Sequence, residues 1–308
     1  MVIAGGSGFL GQKLTRRLVA DGHQVQILTR RSSSSPDLSR RSEANADDIT
    51  WNPDGTPGAL PQHLDDVDAV VNLAGESLAK WPWSAARKEA LRASRILATR
   101  TVASAITACA RPPRVFVSGS AVGYYGPHGD EPVTEATPPG TDFLARLCVE
   151  WEQEARAAER PSVRLCLIRT GLVLSPDGGA LPAMARPFKF GVGGPLGSGQ
   201  QYVPWIHVDD WTAMVMWMIT TAGATGAFNA SAPEPVTGRT FAHTLGRVLG
   251  RPAIIPAPAV AMRLVLGDMA AMVLNGQRQL PVHAEHLGFA FSYRALEPAL
   301  QSLLEGNR

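Results

Sequence analysis

Apolar residues along the chain follow two alternating spacings. Short apolar runs are separated by stretches in which apolar residues recur every three or four positions, as in FLGQKLTRRLVADG and ARKEALRASRILATRTVASAI. Alternation of this kind predicts an α/β fold, a Rossmann-type doubly wound parallel sheet with helices on both faces and right-handed connections. The apolar runs place the expected parallel strands near residues 1–4, 25–29, 68–73, 114–118 and 163–168.

The composition changes after residue 175, where Gly and Pro become frequent (PDGGALP, GVGGPLGSGQ). This change predicts a smaller, loop-rich lobe. The later stretch WIHVDDWTAMVMWMI has the pattern of a strand end followed by an apolar helix that returns to the first sheet. We therefore expect a Rossmann domain over residues 1–175, rejoined by 203–232, and a small C-terminal lobe over 176–202 and 233–308.

A glycine motif, GGSGFLG, lies between the first predicted strand and the first predicted helix. Gly5 allows a tight turn, Gly8 lets the backbone approach a pyrophosphate, and Gly11 permits close contact between helix and strand. Phe9 and Leu10 open the helix whose N-terminus would face the phosphates. The position of the motif favours dinucleotide binding over a merely tight turn.

The end of the second predicted strand carries Arg30 and Arg31, where a NAD-binding fold would place an acidic residue for the adenosine ribose. Two guanidinium groups suit a 2′-phosphate, because an arginine fork binds a phosphate dianion and gains little from a bare hydroxyl. The expected cofactor is therefore NADP. The alternative is a solvated basic turn.

Charge and composition exclude several other classes of protein. A formal net charge of +2, with 18% charged residues, provides no broad basic field for nucleic acid. The longest apolar region, near 253–275, is interrupted by Arg263 and Asp268 and is shorter than the ~20 clean residues of a membrane span. The three cysteines lie far apart without C-x-x-C spacing, which indicates buried thiols. We expect a cytoplasmic monomer or homodimer with no metal and no membrane partner.

Several motifs together resemble a known family. The set consists of GGSGFLG, NLAGE, SGSAVGYYG, IRTGLVL and WIHVDD, and it is similar to the extended short-chain dehydrogenases/reductases of the NAD-dependent epimerase/dehydratase type. The AGE tripeptide, KWPW, the SRI..T helix, LCVEWE and the last 58 residues resemble its atypical "epimerase family" subgroup. That subgroup ends in a small module of unknown function, matched here by LNGQRQLP and HLGFAF.

The resemblance implies particular cofactor contacts. Leu73, Ala74 and Gly75 close a strand where the family's backbone lies against the adenosine-side ribose and phosphates, although small residues also suit an ordinary strand end. Glu76 could hydrogen-bond a cofactor hydroxyl or act as an acidic residue at a helix N-terminus. Leu172 lies where the family presents backbone groups to the nicotinamide carboxamide.

The family's usual catalytic pair is missing. Typical members use a serine or threonine to orient the substrate, a tyrosine as acid/base, and a lysine that lowers the tyrosine pKa. Ser120 keeps the first role, but the amphipathic helix of DFLARLCVEWEQEA places Asp142 where the tyrosine belongs and Arg146 where the lysine belongs. Arg146 can still hydrogen-bond the nicotinamide ribose. Tyr124 and Tyr125 are the candidate substitutes, with aromatic packing as the alternative.

Three functions remain open at this point. The first is an NADP-dependent oxidoreductase or epimerase acting on an unknown small carbonyl or sugar-nucleotide substrate. The second is a non-catalytic NADP(H)-binding sensor, and the third is a scaffold with a structural cofactor. His207 and Asp209 form a tempting catalytic pair, but in the WIHVDD-like segment of this family such residues usually brace the sheet and the lobe.

Overall fold

The computed structural model describes residues 1–30 and 46–304, so Arg31 lies outside the described residues. Within these residues the strands are β1 (Val2–Ala4), β2 (Val25–Thr29), β3 (Ala46–Thr50), β4 (Ala69–Asn72), β5 (Val115–Ala121), β6 (Pro132–Val133), β7 (Arg164–Thr170), β8 (Leu172–Leu174), β9 (Tyr202–Val203), β10 (Trp205–His207), β11 (Gly226–Ala230), β12 (Val236–Thr237) and β13 (Arg278–Gln279). The helices are α1 (Phe9–Ala20), α2 (Leu60–Leu64), α3 (Ala85–Ala108), α4 (Phe143–Arg156), α5 (Leu181–Lys189), α6 (Val208–Thr220), α7 (Gly238–Leu249), α8 (Ala259–Leu266), α9 (Ala271–Leu274), α10 (Val282–His286) and α11 (Leu296–Leu304).

Seven strands form one parallel sheet in the order β11-β7-β5-β4-β1-β2-β3. The five predicted strands are present as β1, β2, β4, β5 and β7, and all of them are parallel, which confirms the Rossmann-type fold. The strand order reverses between β1 and β4. Ligands of open parallel sheets bind at the carboxyl ends of the strands beside such a reversal.

Helices cover both faces of this sheet, which explains why its central strands are continuous apolar runs rather than alternating ones. On one face, Leu14 of α1 and Trp211 of α6 pack with Ile3 in the larger core. On the other face, Leu64 of α2 and Ile106 of α3 belong to the second core. The three cysteines are all buried and unpaired, as the sequence predicted.

The smaller strands attach the remaining segments to this sheet. The stretch WIHVDDWTAMVMWMI forms β10, which pairs in parallel with β8, and then α6, which leads to β11 at the edge of the main sheet. Near the C-terminus, β13 pairs in parallel with β6. This last pairing brings the C-terminal segment next to the loop that follows β5. No helix of the described chain is long and apolar enough to cross a membrane.

The tight packing of the first helix against the first turn gives a test of the fold. A Cβ atom on Gly11 would lie 2.2 Å from the carbonyl oxygen of Gly5. We expect Gly11→Ala to lower the free energy of unfolding by about 1–3 kcal/mol, because the added methyl forces the backbone apart. Urea denaturation measures the change. The matched control is Gly223→Ala, since a Cβ there meets no atom within 4 Å; equal stability of the two variants would contradict the packing.

Candidate functional site

The glycine loop connects β1 to α1 at the carboxyl edge of the sheet. Gly5 has a φ of +81°, and a Cβ atom there would lie 2.7 Å from the backbone of Leu73 at the end of β4. Gly8 is exposed and caps α1 without a side-chain hydrogen bond. The loop therefore offers an exposed backbone and a helix N-terminus on the side where a pyrophosphate would bind.

A second segment lies over this loop, between β8 and α5. Lys13 of α1 forms an ion pair with Asp177 at 2.6 Å. The ring of Phe9 lies so close to Gly178 that a Cβ atom on that glycine would be 2.5 Å from it. Sequence reasoning included Phe9 in the motif but missed the contact, because it joins residues more than 160 positions apart.

Asn72 shapes the turn that follows β4. Its buried side-chain amide donates to Thr99 Oγ1 at 2.8 Å, and its Oδ1 accepts the backbone N–H of Ala74 at 3.1 Å. These bonds fix the backbone of Leu73, Ala74 and Gly75 beside the glycine loop. Gly75 itself is exposed. The predicted cofactor-contacting segment thus lies next to the loop, as a dinucleotide site requires.

Glu76 is surrounded by cationic groups. Arg87 donates to its carboxylate at 2.7 Å, and Lys80 lies 3.8 Å away. The hydrogen bond from Arg87, together with the charges of Lys80, Arg87 and Arg30, holds the pKa of this carboxyl below its usual value. Glu76 is therefore ionised and its charge is balanced. Arg30, exposed at the end of β2, is close enough to contribute to this field.

The polar centre of the site is a buried ion pair between β7 and α4. Arg169 donates to Glu152 through Nε at 2.8 Å and through Nη2 at 2.9 Å. Ser120 Oγ donates to the same carboxylate at 2.7 Å. The Nη1 group of Arg169 donates to the hydroxyl of Tyr125 at 2.9 Å and to the carbonyl of Glu135 at 3.2 Å. Four of the five guanidinium N–H groups are therefore bonded inside the protein, as a buried charge requires.

The two adjacent tyrosines have different environments. Tyr125 is 1% exposed, and its hydroxyl donates to Asn229 Oδ1 at 2.6 Å while it accepts from Arg169. Burial raises the pKa of Tyr125 to about 12, although the charge of Arg169 opposes the shift. Tyr124 is half-buried, its ring lies 3.4 Å from the Arg169 guanidinium, and its hydroxyl has no hydrogen-bond partner among the described residues. Of these two adjacent tyrosines, Tyr124 is therefore the one whose phenol is free to meet a ligand.

Arg169 keeps its charge in spite of this burial. Desolvation alone would lower the pKa of Arg169, but the hydrogen bond and the charge of Glu152, together with Tyr125, raise it above its usual value. The network is consequently a cation and an anion held in fixed positions by neutral donors and acceptors. Removal of either Arg169 or Glu152 would leave the charge of the other buried and uncompensated.

The residues at the positions of the missing catalytic pair have local roles. Asp142 is the N-cap of α4 and accepts the backbone N–H of Ala145 at 2.8 Å. Arg146 is exposed on the first turn and donates to the carbonyl of Thr141. The predicted amphipathic helix is present, and an aspartate satisfies its N-terminal N–H groups as a tyrosine would not.

Two further predicted sites lie on the paired strands β8 and β10. The amide of Leu172 donates to the carbonyl of Pro204 at 2.6 Å, so this N–H is already used within the protein. His207 is buried, its Nδ1 accepts the backbone N–H of Asp209 at 3.0 Å, and its ring stacks on Tyr293 at 3.9 Å. Burial lowers the pKa of His207, so the ring is neutral at pH 7. These contacts are those of a packing residue.

Sequence reasoning missed the centre of this network. Glu152 lies within the amphipathic helix, and Arg169 lies in the otherwise apolar run RLCLIRTGLVL. Charged residues are rarely buried without a partner, so an arginine in a buried strand was the available signal. Its partner could not be identified, because 17 positions separate the two residues. Among the described residues, no cluster of three or more His, Cys, Asp or Glu side chains is arranged to hold a metal ion.

These features define a class of protein: a Rossmann-type α/β fold whose glycine loop, strand-end turn and polar network share one edge of the sheet. The model of the NAD dependent epimerase/dehydratase family matches residues 1–231, and a domain of unknown function matches residues 257–303. The chain therefore belongs to the NAD-dependent epimerase/dehydratase family, which has a nicotinamide dinucleotide-binding, short-chain dehydrogenase-type fold.

Relatives match nearly the whole chain. The chloroplastic SDR39U1 homologue of Arabidopsis thaliana, an epimerase family protein, is 39% identical over 98% of this chain and 86% of its own length. The Bacillus subtilis epimerase family protein YfhF is 36% identical over 99% of this chain and 97% of its own length. The crystal structure of human epimerase family protein SDR39U1 (isoform 2) with NADPH has a TM-score of 0.88 at 34% identity, with coverage of 99% and 98%.

The buried ion pair yields a stability test. Glu152→Ala removes one partner and leaves the Arg169 charge buried and uncompensated. We expect a loss of about 3–5 kcal/mol in the free energy of unfolding. Glu154→Ala is the matched control on the same helix, since Glu154 pairs with the half-exposed Arg100 at 2.6 Å. That surface pair is worth about 0.2–1 kcal/mol. Similar losses in the two variants, measured in urea, would contradict the assigned importance of the buried pair.

Proposed function

We propose that the chain is an NADP(H)-dependent oxidoreductase or epimerase that acts on a small carbonyl or sugar-nucleotide substrate, with Tyr124 as its acid/base. The observation that carries the proposal is the free phenol of Tyr124. It follows β5 at the carboxyl edge and is held against Arg169, while the hydroxyls of the neighbouring Ser120 and Tyr125 are bonded within the protein. A phenol without an internal partner, placed where ligands bind, is suited to exchange a proton with a substrate oxygen.

The choice of NADP over NAD rests on charge. An acidic residue at the ribose would repel a 2′-phosphate, but the charge of Glu76 is balanced by Arg87 and Lys80. Arg30 is exposed at the end of β2 and supplies a cation for the phosphate, with Arg31 as its proposed neighbour. The NADPH-bound human relative supports this choice.

The remaining predicted residues are assigned to the rest of the cofactor. Gly5, Gly8 and Gly11, with the first N–H groups of α1 at Phe9 and Leu10, would hold the pyrophosphate. Leu73, Ala74 and Gly75 would lie against the adenosine-side ribose. Arg146 would reach the nicotinamide ribose and Leu172 the carboxamide, through its carbonyl because its N–H is used. The nicotinamide, when bound, supplies or accepts a hydride.

Ser120 would act differently from the serine of typical family members. Its hydroxyl proton is donated to Glu152, so its remaining lone pairs can only accept a hydrogen bond. We therefore assign it to a substrate hydroxyl rather than to a carbonyl oxygen. In this arrangement Tyr124 alone donates a proton to a carbonyl that is being reduced, and Tyr125 serves to hold Arg169 in place.

The second candidate is a non-catalytic NADP(H)-binding sensor. The hydroxyls of Ser120 and Tyr125 are both used in internal hydrogen bonds, which favours this candidate. Of the usual serine, tyrosine and lysine, the site then retains only one phenol, that of Tyr124, for a substrate. A screen of NADPH oxidation over carbonyl compounds and sugar nucleotides separates the two functions. Turnover of any of these substrates supports the enzyme, and a blank screen supports the sensor.

Cofactor choice can be tested by titration. Arg30→Ala should weaken NADPH binding by about 1.5–3 kcal/mol, roughly ten- to a hundredfold in Kd, because a charged hydrogen bond to the 2′-phosphate is lost. The Kd for NADH should not change. Arg114→Ala is the control, since Arg114 is an exposed arginine beside the amino end of β5. Equal affinities of the wild type for NADPH and NADH would contradict the assignment.

The role of Tyr124 can be tested with conservative variants. Tyr124→Phe should lower kcat by roughly 10² or more while the NADPH Kd stays constant, because general acid/base catalysis typically contributes 10²- to 10⁴-fold. Tyr293→Phe is the control, because this tyrosine stacks on His207 rather than on Arg169. An active Tyr124→Phe enzyme with unchanged kcat would exclude Tyr124 as the proton donor.

A further inference from the structure

The C-terminal module is joined to the loop that carries the tyrosines by hydrogen bonds. Gln277 Nε2 donates to the carbonyl of Gly126 at 2.7 Å, directly after Tyr125. The backbone N–H of Leu280 donates to the carbonyl of Val133 at 2.9 Å. A segment of the module therefore lies along the loop that follows β5, where β13 pairs with β6.

Gln279 reaches further, into the buried network itself. Its side chain is 0% exposed, and Nε2 donates to Asn229 Oδ1 at 2.8 Å and to the backbone carbonyl of Arg169 at 3.3 Å. The other end of the Asn229 amide donates to the carbonyl of Leu280 at 2.9 Å. Two neighbouring residues of the module thus hold both ends of one buried amide.

This double contact fixes the orientation of the Asn229 amide. A flipped amide would place its NH₂ group against the Nε2 donor of Gln279 and its oxygen against the carbonyl of Leu280, which are both repulsive. With Oδ1 fixed, the hydroxyl of Tyr125 must donate to it, at 2.6 Å. The oxygen of Tyr125 is then left to accept from Arg169, at 2.9 Å.

Arg169 contacts both Tyr125 and the ring of Tyr124. Its guanidinium lies 3.4 Å from the ring centre of Tyr124, and its position is set by Glu152 on one side and by Tyr125 on the other. A continuous path of direct contacts therefore runs from Gln279 through Asn229, Tyr125 and Arg169 to Tyr124.

We propose that the C-terminal module is a positioning element of the site, and that Gln279, assisted by Gln277, sets the position of the Tyr124 phenol through this path. Gln279 is a positioning residue, because its side chain bonds Asn229 and the Arg169 carbonyl and acts on Tyr124 through them. The inference rests on the proposed function for its catalytic meaning, but the path itself can be tested without a substrate.

The test uses the protein labelled with 3-fluorotyrosine. The chain has four tyrosines, so we expect four fluorine NMR signals. Tyrosine-to-phenylalanine variants assign each signal. Gln279→Met keeps the length of the side chain and removes its hydrogen bonds. We expect the signals of both Tyr124 and Tyr125 to shift or broaden, while that of Tyr293 stays in place. Gln301→Met, on the exposed side of α11, is the matched control and should move no signal.

Hydrogen exchange provides a second readout of the same effect. The N–H of Gly140 donates to the carbonyl of Tyr124 at 2.9 Å, and the N–H of Gln12 donates to the carbonyl of Gly8 in the glycine loop at 2.8 Å. In Gln279→Met, we expect exchange at Gly140 to be about tenfold faster and exchange at Gln12 to be unchanged. The Kd for NADPH should also stay within about twofold of the wild-type value.

Two results would overturn the proposal that Gln279 positions Tyr124. A shift of the Tyr125 signal alone, with Tyr124 and Gly140 as in the wild type, would mean that the path ends at Tyr125 and would overturn the proposal. If Gln279→Met loosens the whole protein, Gln277→Met decides, since it removes only the bond to the Gly126 carbonyl. The fluorine signal of Tyr124 must then shift in Gln277→Met, and an unshifted signal would also overturn the proposal.

A substrate, once found, adds a kinetic test. Gln279→Met should lower kcat by about tenfold with little change in KM, and it should add nothing in a Tyr124→Phe background, because both changes act on the same phenol. Additive effects would overturn the proposal. A blank substrate screen would refute the proposed activity but leave the fluorine and exchange results valid, so the two failures can be distinguished.

Discussion

The buried ion pair of Arg169 and Glu152 is the interaction on which the site depends. A guanidinium and a carboxylate that are both almost fully buried require a hydrogen bond for nearly every polar atom, because the interior cannot solvate them. Ser120, Tyr125 and the carbonyl of Glu135 supply those bonds. The pair thereby fixes β5, β7, α4 and the loop after β5 relative to one another at the edge of the sheet where ligands bind.

This constraint divides the carboxyl edge into two parts with different chemistry. Near β1 and β4, the glycine loop and Gly75 expose backbone where a dinucleotide would bind, and Asn72 holds the turn that would face it. Near β5 and β7, the side chains of Ser120, Glu152, Arg169 and Tyr125 bond one another, and the Tyr124 phenol has no partner among the described residues. The first part accounts for cofactor binding in the family. The second limits the proton donors of the proposed reaction to one group.

The sequence predicted the features that depend on local patterns. Apolar spacing located five strands and the helix of residues 143–156, because burial on a sheet or helix face recurs at a fixed interval. The spacing of Gly5, Gly8 and Gly11 indicated the tight loop between β1 and α1 for a similar reason. Spacing could not distinguish Tyr124 from Tyr125, since adjacent side chains after a strand differ only in the tertiary contacts they meet. Gln279 bonds Asn229 across 50 positions, a contact that no local pattern indicates.

The most direct test is a high-resolution crystal structure of the chain with NADPH bound. We expect the Tyr124 hydroxyl to face the nicotinamide ring, either directly or through one water, while the Tyr125 hydroxyl stays on Asn229 and the Ser120 hydroxyl stays on Glu152. A complex in which Tyr124 turns away from the nicotinamide, or in which Tyr125 leaves Asn229 to approach it, would show that the buried ion pair does not reserve the Tyr124 phenol for the ligand.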